Sequence, residues 1–113
     1  MIQNNDEVRE KMLEGNLMYG TAESWLIYKL TGKHVTEPSS ASITGLFDLY
    51  EMSWNTTLLN ILQIPLNCLP EVIDNDADFG KINASLFGAE IPITAVLADQ
   101  QSAMFGECCF EKG

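Results

Sequence analysis

The chain has 113 residues, of which 46% are hydrophobic and 19% charged, so it can form one domain or part of one and is too apolar for wholesale disorder. Its 16 acidic residues against 6 basic residues give a formal net charge of −10, which argues against nucleic acid and anionic membrane surfaces as partners, because both require clustered Lys and Arg. No apolar run reaches the length of a membrane span, and the polar start MIQNNDEVREK does not have the pattern of a secretory signal.

Two helices are predicted in the first third of the chain. DEVREKMLE, at 6–14, is a short polar helix, and a brief strand is expected at 17–19. The second helix begins after Thr21, which has the position of an N-cap, and ends at Gly32, where a C-terminal glycine belongs. The start of the chain is therefore expected to be mainly helical.

The middle of the chain predicts a loop, a short strand and a third helix. Residues 36–50 are rich in Ser and Thr before they turn apolar, which indicates a loop leading into a strand near Leu46. SWNTTLLNILQIP has the clearest helical spacing of apolar residues, with Ser53 or Asn55 available as the cap and Pro65 as the stop.

Two residue types are expected to lie mostly in the core. Trp25 and Trp54 occupy apolar helix faces. Cys68, Cys108 and Cys109 are odd in number and have no CxxC spacing, so they are interpreted as small buried apolar residues rather than a zinc site or a disulfide framework. This use of cysteine fits a reducing cytosol.

Residues 66–90 are expected to be irregular, apart from a short strand at 79–82. Three aspartates alternate with other residues there: Asp74, Asp76 and Asp78. They resemble the front of a calcium loop, but Phe79 stands at the sixth position, where Gly is required, and Ser85 at the twelfth, where Glu is required. The sequence therefore predicts a solvated acidic loop, and His34, which has no evident partner, is expected at the surface.

The last part of the chain predicts a buried strand followed by a helix. Residues 91–98 are almost continuously apolar, which is typical of a strand covered on both faces in a parallel α/β sheet. Residues 100–110 then read as a helix. Asp99 and two glutamines lie between them, at the carboxyl end of the strand, where ligands gather in open α/β sheets.

Two interpretations of Asp99 follow from this placement. A carboxylate there can accept a proton from a substrate hydroxyl, while neighbouring amides bind other hydroxyls of a polyol. Asp is also a preferred N-cap residue, and a helix starts directly afterwards. Spacing alone favours the cap, and the two roles are compatible, so both remain open at this point.

Segments of the chain come in the same order as in the FGGY carbohydrate kinases. They are YGTAESWLIYKLTG (19–32), SSASITGLFDLYEMSW (39–54), LLNILQIPLNCLPEV (58–72), FG (79–80) and IPITAVLADQQSAMFGE (91–107). The chain resembles this family over nearly its whole length, and it is most similar to the glycerol kinase branch, in which Asp-Gln-Gln precedes an apolar helix that contains Gly. An ordered series of this kind is much more specific than any one segment.

The resemblance implies an α/β fold that is an incomplete part of a ribonuclease-H-like (actin-like ATPase) domain. Residues 1–98 would be the late part of the first FGGY kinase domain, and residues 99–113 would hold the catalytic Asp and a helix at the junction to the second domain. The implied activity of the parent protein is transfer of the γ-phosphate of ATP to a polyol hydroxyl, with glycerol as the expected polyol.

The family's site residues carry over to two positions. Asp99 would be the general base that takes the proton of the substrate hydroxyl, and Gln100 would contact substrate hydroxyls. Gln101 is interpreted as support. Glu23 stands where relatives usually carry Asp, at the start of a helix, and this change is expected to be harmless.

The resemblance also implies what residues 1–113 do not supply. ATP and Mg²⁺ would be bound elsewhere in the full-length parent, and no cofactor-binding residue or metal ligand is assigned here. The fragment alone is therefore expected to be inactive. Its expected partners are the polyol and the rest of the kinase chain in the cytoplasm, and a homo-oligomer of the parent is left open.

Two other classes of function compete with this interpretation. In the first, the chain is a glycerol-kinase-like interaction module without catalysis, and Asp99 is only a helix N-cap. In the second, it is a free-standing acidic α/β binding domain, which is favoured only if the parent gene ends at Gly113. Nucleotide-binding loops in the flanking sequence would support the kinase and exclude the free-standing domain.

Overall fold

Helices and short strands alternate along the chain in the computed structural model, which describes residues 5–112. The helices are α1 (Asp6–Leu13), α2 (Ala22–Thr31), α3 (Pro38–Ile43), α4 (Thr56–Leu62), α5 (Ala84–Phe87) and α6 (Asp99–Gly106). The strands are β1 (Val35–Thr36), β2 (Phe47–Asp48), β3 (Ser53–Trp54), β4 (Glu71–Val72), β5 (Lys81–Ile82) and β6 (Ile91–Pro92). A 3₁₀ turn, Leu66–Cys68, lies between α4 and β4.

The first two helices begin and end where the sequence predicts. The side chain of Asn5 caps α1 by accepting a hydrogen bond from the backbone N–H of Val8. Thr21 is the N-cap residue of α2, and Gly32 ends it in the left-handed conformation that glycine adopts without steric cost. The strand predicted at 17–19 is wrong, because these residues have no ladder partner among the described strands.

The loop predicted at 36–50 is wrong in part, because it contains α3. Glu37 caps this helix by accepting hydrogen bonds from the backbone N–H groups of Ser39 and Ser40. Pro38 occupies the first helical position, where its missing N–H would have no intrahelical partner in any case. The predicted strand near Leu46 is present as β2, directly after it.

The helix predicted in the middle of the chain is confirmed as α4. Of the two caps considered, the structure uses Asn55, whose side chain accepts from the backbone N–H of Leu58. The helix ends at Leu62, and Gln63 follows it in the left-handed conformation. Pro65 therefore lies beyond the helix end, as expected of a stop signal.

The strands pair into two-stranded sheets. β1 and β4 are parallel, with Val35 opposite Glu71. β2 and β3 are antiparallel, as are β5 and β6. Each strand is only two residues long, so the side chains between the strands, rather than long ladders, hold the described part of the chain together.

Two hydrophobic clusters form the core. The first is Ile27, Val35 and Phe79, with Ile73, Ala77, Ile93 and Val96 packed against it. The second is Leu46, Leu59 and Leu69, with Trp54 and Ile64 packed against it. Trp54 packs against the core as predicted, but it lies in β3 and not on a helix face. The prediction is wrong for Trp25, which is 61% exposed because its side of α2 has no covering element in the described residues.

The described residues form a flat body. The radius of gyration is 16.0 Å, against about 13 Å for a compact domain of this length. The principal extents are 45 × 44 × 21 Å. Large apolar side chains remain exposed on it, including Leu13, Trp25, Ile61, Phe87 and Phe105.

The buried strand predicted at 91–98 is wrong for most of its length. Only Ile91–Pro92 pairs, and it is exposed and antiparallel to β5. The backbone N–H of Ile93 still donates to the carbonyl of Gly80 at 2.8 Å, and beyond this point no described strand lies alongside. A strand requires a hydrogen-bonding neighbour, and an apolar run does not show whether one is present.

The final helix is shorter than predicted. It ends at Gly106, and Cys108 has a φ of +59°, which continued helix excludes. Cys108 and Cys109 are exposed, so their predicted burial is wrong, whereas Cys68 is buried as expected. Among the described residues, no helix combines the length and the apolar character needed to cross a bilayer.

Candidate active site at the start of the last helix

Asp99 is the first residue of α6, and its side chain is exposed. The N-cap is Ala98, so the predicted N-cap position of Asp99 is one residue off. Its Oδ1 nevertheless accepts a hydrogen bond of 2.8 Å from the backbone N–H of Gln100, one of the helix's free N-terminal donors. The carboxylate also carries its negative charge at the end of the helix dipole that favours anions.

The two glutamines after Asp99 differ in exposure. Gln100 is exposed, so the two residues that the sequence assigns to the site lie side by side at the helix start with both side chains accessible. Gln101 is half-buried, and its Oε1 has no hydrogen-bond partner among residues 5–112. A carboxylate beside an amide can accept a hydroxyl proton and bind a second hydroxyl.

The backbone that leads into Asp99 is held by residues far away in sequence. The backbone N–H of Val96 donates to the carbonyl of Asn75 at 2.9 Å, and the Asn75 side chain returns a hydrogen bond of 3.1 Å to the Val96 carbonyl. Two positions later, the N–H of Ala98 donates to the Oγ of Ser39 at 3.2 Å. The residue directly before Asp99 is thus fixed by α3.

The carboxylate of Glu37 lies behind these contacts and is fully buried. It accepts from the N–H and the hydroxyl of Ser39, from the N–H and the hydroxyl of Ser40, and from the amide nitrogen of Asn75. Burial alone would raise the pKa of Glu37, but the hydrogen bonds from Ser39 and Ser40 outweigh it and hold the pKa below its ordinary value. The ionised form is therefore favoured.

Sequence reasoning missed this cluster, although part of its signal is visible. Glu37 followed by Pro38 and serines has the composition of a helix start, with Pro at the first helical position. Asn75 lies within the acidic loop and carries no such signal. Its neighbours Asp74, Asp76 and Asp78 are exposed, as predicted for a solvated loop.

The described residues offer Asp99 neither a metal-binding cluster nor a place in the cavity at α2. Within residues 5–112, no group of three or more His, Cys, Asp or Glu side chains is placed to hold a metal ion. A cavity of about 230 Å³ is lined by Trp25, Tyr28, Lys29 and His34 among others, and Asp99 does not line it. The local chemistry of the candidate site is therefore that of the Asp99 carboxylate and the Gln100 amide.

A family model matches most of the chain. The model describes the N-terminal domain of the FGGY family of carbohydrate kinases, and it matches residues 1–106, which include Asp99 and Gln100.

Curated relatives are similar over the whole chain. Glycerol kinase 5 of Homo sapiens is 48% identical over 115 aligned positions, which cover 100% of this chain and 22% of the relative. A glycerol kinase of Agrobacterium fabrum is 48% identical over 108 positions, which cover 94% of this chain and 22% of the relative. The chain thus spans about a fifth of the length of these relatives.

A solved structure shares the fold. The crystal structure of Plasmodium falciparum glycerol kinase with ADP superposes with a TM-score of 0.92 at 34% identity, over 98% of this chain and 23% of that one. This similarity confirms the predicted fold class, an α/β part of a ribonuclease-H-like (actin-like ATPase) domain.

Proposed function

This chain belongs to the FGGY family of carbohydrate kinases, and from that premise we propose that it is part of an ATP-dependent kinase of the glycerol kinase type that phosphorylates a polyol hydroxyl. Glycerol is the polyol we propose, because the relatives at 48% identity are glycerol kinases. The observation that carries the proposal at the residue level is an exposed carboxylate beside an exposed amide at the start of α6.

Asp99 acts as the general base in this proposal. Phosphoryl transfer proceeds through a loose transition state, so the enzyme mainly positions the attacking hydroxyl and stabilises charge. The Asp99 carboxylate accepts a hydrogen bond from the hydroxyl, orients its oxygen and takes its proton as the new bond to phosphorus forms. The side chain of Gln100, which lies next to it, binds a second hydroxyl and fixes the orientation of the polyol.

The nucleotide belongs to other parts of the proposed parent enzyme. ADP in the Plasmodium falciparum relative supports an adenine nucleotide as phosphate donor or product. The described residues do not fit a site for ATP or Mg²⁺, because Gly32-Lys33 lacks the upstream glycine of a phosphate loop and no carboxylate cluster is placed to hold a cation. The chain alone is therefore proposed to be inactive.

The match of residues 1–106 to the N-terminal domain model supports a proposal for the place of the chain in the parent. We assign residues 1–98 to the late part of the first kinase domain, and residues 99–113 to the catalytic Asp and the helix at the junction with the second domain. The proposed partners are the polyol and the remainder of the kinase chain. The free thiols of Cys68, Cys108 and Cys109 fit a reducing compartment, so the cytoplasm is the proposed location.

The decisive experiment is Asp99→Asn in the full-length parent, assayed with ATP and glycerol. Asn has nearly the same shape and can still accept from the Gln100 N–H, but it cannot take a proton. Turnover is expected to fall by about 10²- to 10⁴-fold, with the KM for ATP unchanged. Asp76→Asn, the same change at an exposed loop residue, is the matched control and should keep wild-type turnover.

A second candidate function is a glycerol-kinase-like interaction module without catalysis. The hydrogen bond from the Gln100 N–H to the Asp99 carboxylate favours it, because this contact already gives Asp99 a structural role at the helix start. Wild-type turnover in Asp99→Asn would contradict the assignment of the base. A full-length parent that phosphorylates no polyol, while its fold is intact by circular dichroism, would support the module instead.

A further inference from the structure

Hydrogen bonds on both sides of the last residues before Asp99 converge on one buried carboxylate. Asn75 binds both backbone groups of Val96, and its side chain also donates to Glu37. The hydroxyl oxygen of Ser39 accepts a hydrogen bond from the N–H of Ala98. The same hydroxyl donates its proton to the Glu37 carboxylate. The Asn75 and Ser39 side chains, which bind Val96 and Ala98, thus both donate to a single side chain that the proposed reaction does not use.

The chemistry of this cluster requires an anion with two acceptor oxygens. Backbone N–H groups, hydroxyls and an amide nitrogen all present protons to Glu37. An ionised carboxylate only accepts hydrogen bonds and has about four lone-pair sites, so it is well matched to this set of donors. A glutamine at the same place would turn an NH₂ group toward at least one of them and leave a buried donor without a partner.

The carboxylate also orients the group that touches the active-site segment. Because the Ser39 hydroxyl donates its proton to Glu37, its oxygen lone pair is free to accept from Ala98. Ala98 is the N-cap of α6, and the N-cap backbone sets the direction in which the helix starts. The position of the Asp99 carboxylate therefore depends on a contact that Glu37 holds in place.

From these contacts we propose that Glu37 is a positioning residue of the kinase. It acts through Ser39 and Asn75 to hold the Asp99 carboxylate next to the polyol hydroxyl that accepts the phosphate. This proposal rests on the proposed function. Misplacement of a reacting group by about 1 Å can lower a rate by about 10²-fold, so a link of this kind has a large effect without touching the substrate. Glu37 is fully buried, with 0% of its surface exposed, so water does not compete for the groups that donate to its carboxylate.

The test compares three variants in the full-length parent: Glu37→Gln, Glu37→Asp and Ser39→Ala. Glu37→Gln is expected to lower kcat by roughly 10- to 100-fold, because the Asp99 carboxylate is displaced from the polyol hydroxyl. The KM for ATP should be unchanged, because the nucleotide site is intact. Glu37→Asp, which keeps both acceptor oxygens, should retain more of the activity. Ser39→Ala removes the hydroxyl that connects Ala98 to Glu37 and should also lower kcat.

Hydrogen exchange at the Ala98 amide provides a readout without substrate. Its protection should fall in Glu37→Gln and in Ser39→Ala, while the Leu59 amide, which donates to the Asn55 carbonyl in α4, should keep its protection. A general loss of stability would raise exchange at both amides. Glu90→Gln, the same substitution at an exposed carboxylate, is the matched control and should leave kcat and both amides unchanged.

Specific results would overturn the proposal. Wild-type kcat and wild-type protection of Ala98 in both Glu37→Gln and Ser39→Ala, alongside a large loss of activity in Asp99→Asn, would show that Asp99 needs no such support. If Glu37→Gln fails to fold, Ser39→Ala decides the question by the same two measurements. Wild-type turnover in Asp99→Asn would instead contradict the proposed function. This result is distinguishable because the Asp99→Asn assay does not involve any Glu37 variant.

Discussion

The indole N–H of Trp54 donates a hydrogen bond of 2.8 Å to the carbonyl oxygen of Pro70, 16 positions further along the chain. The same indole meets the ring of Phe47 edge to face, with centroids 5.9 Å apart and ring planes at 85°. Pro70 is buried, so its carbonyl has an indole partner where water is largely excluded. Trp54 therefore fastens the β2–β3 hairpin to the segment before β4.

Trp54→Phe tests the value of this hydrogen bond. Phe keeps most of the apolar ring but has no N–H, so the free energy of unfolding should fall by about 1 kcal/mol or more. Trp25→Phe is the control, because Trp25 is 61% exposed and its substitution should change stability by less than about 0.5 kcal/mol. Urea unfolding followed by far-UV circular dichroism measures both, and equal effects would contradict the contact.

Alanine substitutions at Gly80 and Gly88 distinguish the cost of backbone strain from the cost of steric crowding. Both have positive φ, +101° and +76°, so an alanine at either position pays the conformational penalty of about 1–2 kcal/mol. At Gly80 a Cβ would also lie 3.0 Å from the Cβ of Thr31, whereas at Gly88 nothing lies within 4 Å. Gly80→Ala should therefore lower the melting temperature more than Gly88→Ala, and the reverse order would contradict the packing of Gly80 against α2.

The single histidine predicts how stability depends on pH. Burial lowers the pKa of His34 below its ordinary 6.5, although a hydrogen bond to the Tyr19 backbone opposes this effect. Between the pKa of His34 in the folded chain and its ordinary 6.5, the unfolded chain binds more protons than the folded chain. The stabilising contribution of neutral His34 is therefore fully present above about pH 6.5 and is lost as the pH falls from there toward the folded-state pKa.

The measurement for His34 is the urea midpoint between pH 5 and pH 7.5. His34→Gln does not titrate, so the slope just below pH 6.5 should disappear in this variant. An unchanged slope would assign the effect to other groups. Glu37 titrates separately, since its lowered pKa places its loss of stabilisation below its ordinary 4.5.

The cysteines predict the pattern of thiol labelling. Cys108 and Cys109 are exposed, whereas Cys68 is 2% exposed and its thiol donates to the carbonyl of Pro65. Burial also raises the pKa of Cys68, which lowers its thiolate fraction. A thiol reagent should therefore modify two cysteines quickly and the third only on unfolding in urea, as counted by mass spectrometry. Equal rates at all three would contradict the burial of Cys68.

Local signals allowed several elements to be predicted from the sequence. Thr21 and Gly32 bound α2, and Asn55 caps α4, because caps depend on the chemistry of a few neighbouring residues. The position of Asp99 and Gln100 at a helix start was also predicted within one residue. Short-range rules were sufficient for these elements, although they missed α3, whose cap Glu37 also has its partners within one helical turn.

Features that depend on distant partners could not be predicted. Trp25 and Trp54 were both predicted to lie on apolar helix faces in the core, yet only Trp54, which lies in β3, packs against a core cluster. Residues 91–98 read as a buried strand because their composition is apolar, while the ladder depends on which neighbour is present. The Glu37 cluster was missed for the same reason, since Asn75 reaches it from 38 positions away.

The separation of 59 positions between Ser39 and Ala98 sets an order of events during synthesis. At roughly 5–20 residues per second, a ribosome takes about 3–12 s to deliver Ala98 after Ser39. Throughout that interval the serine oxygen has only water to accept from, whereas the Glu37 cap of α3 can already close locally. Ala98, the residue directly before Asp99, thus reaches its contact with α3 only after that interval.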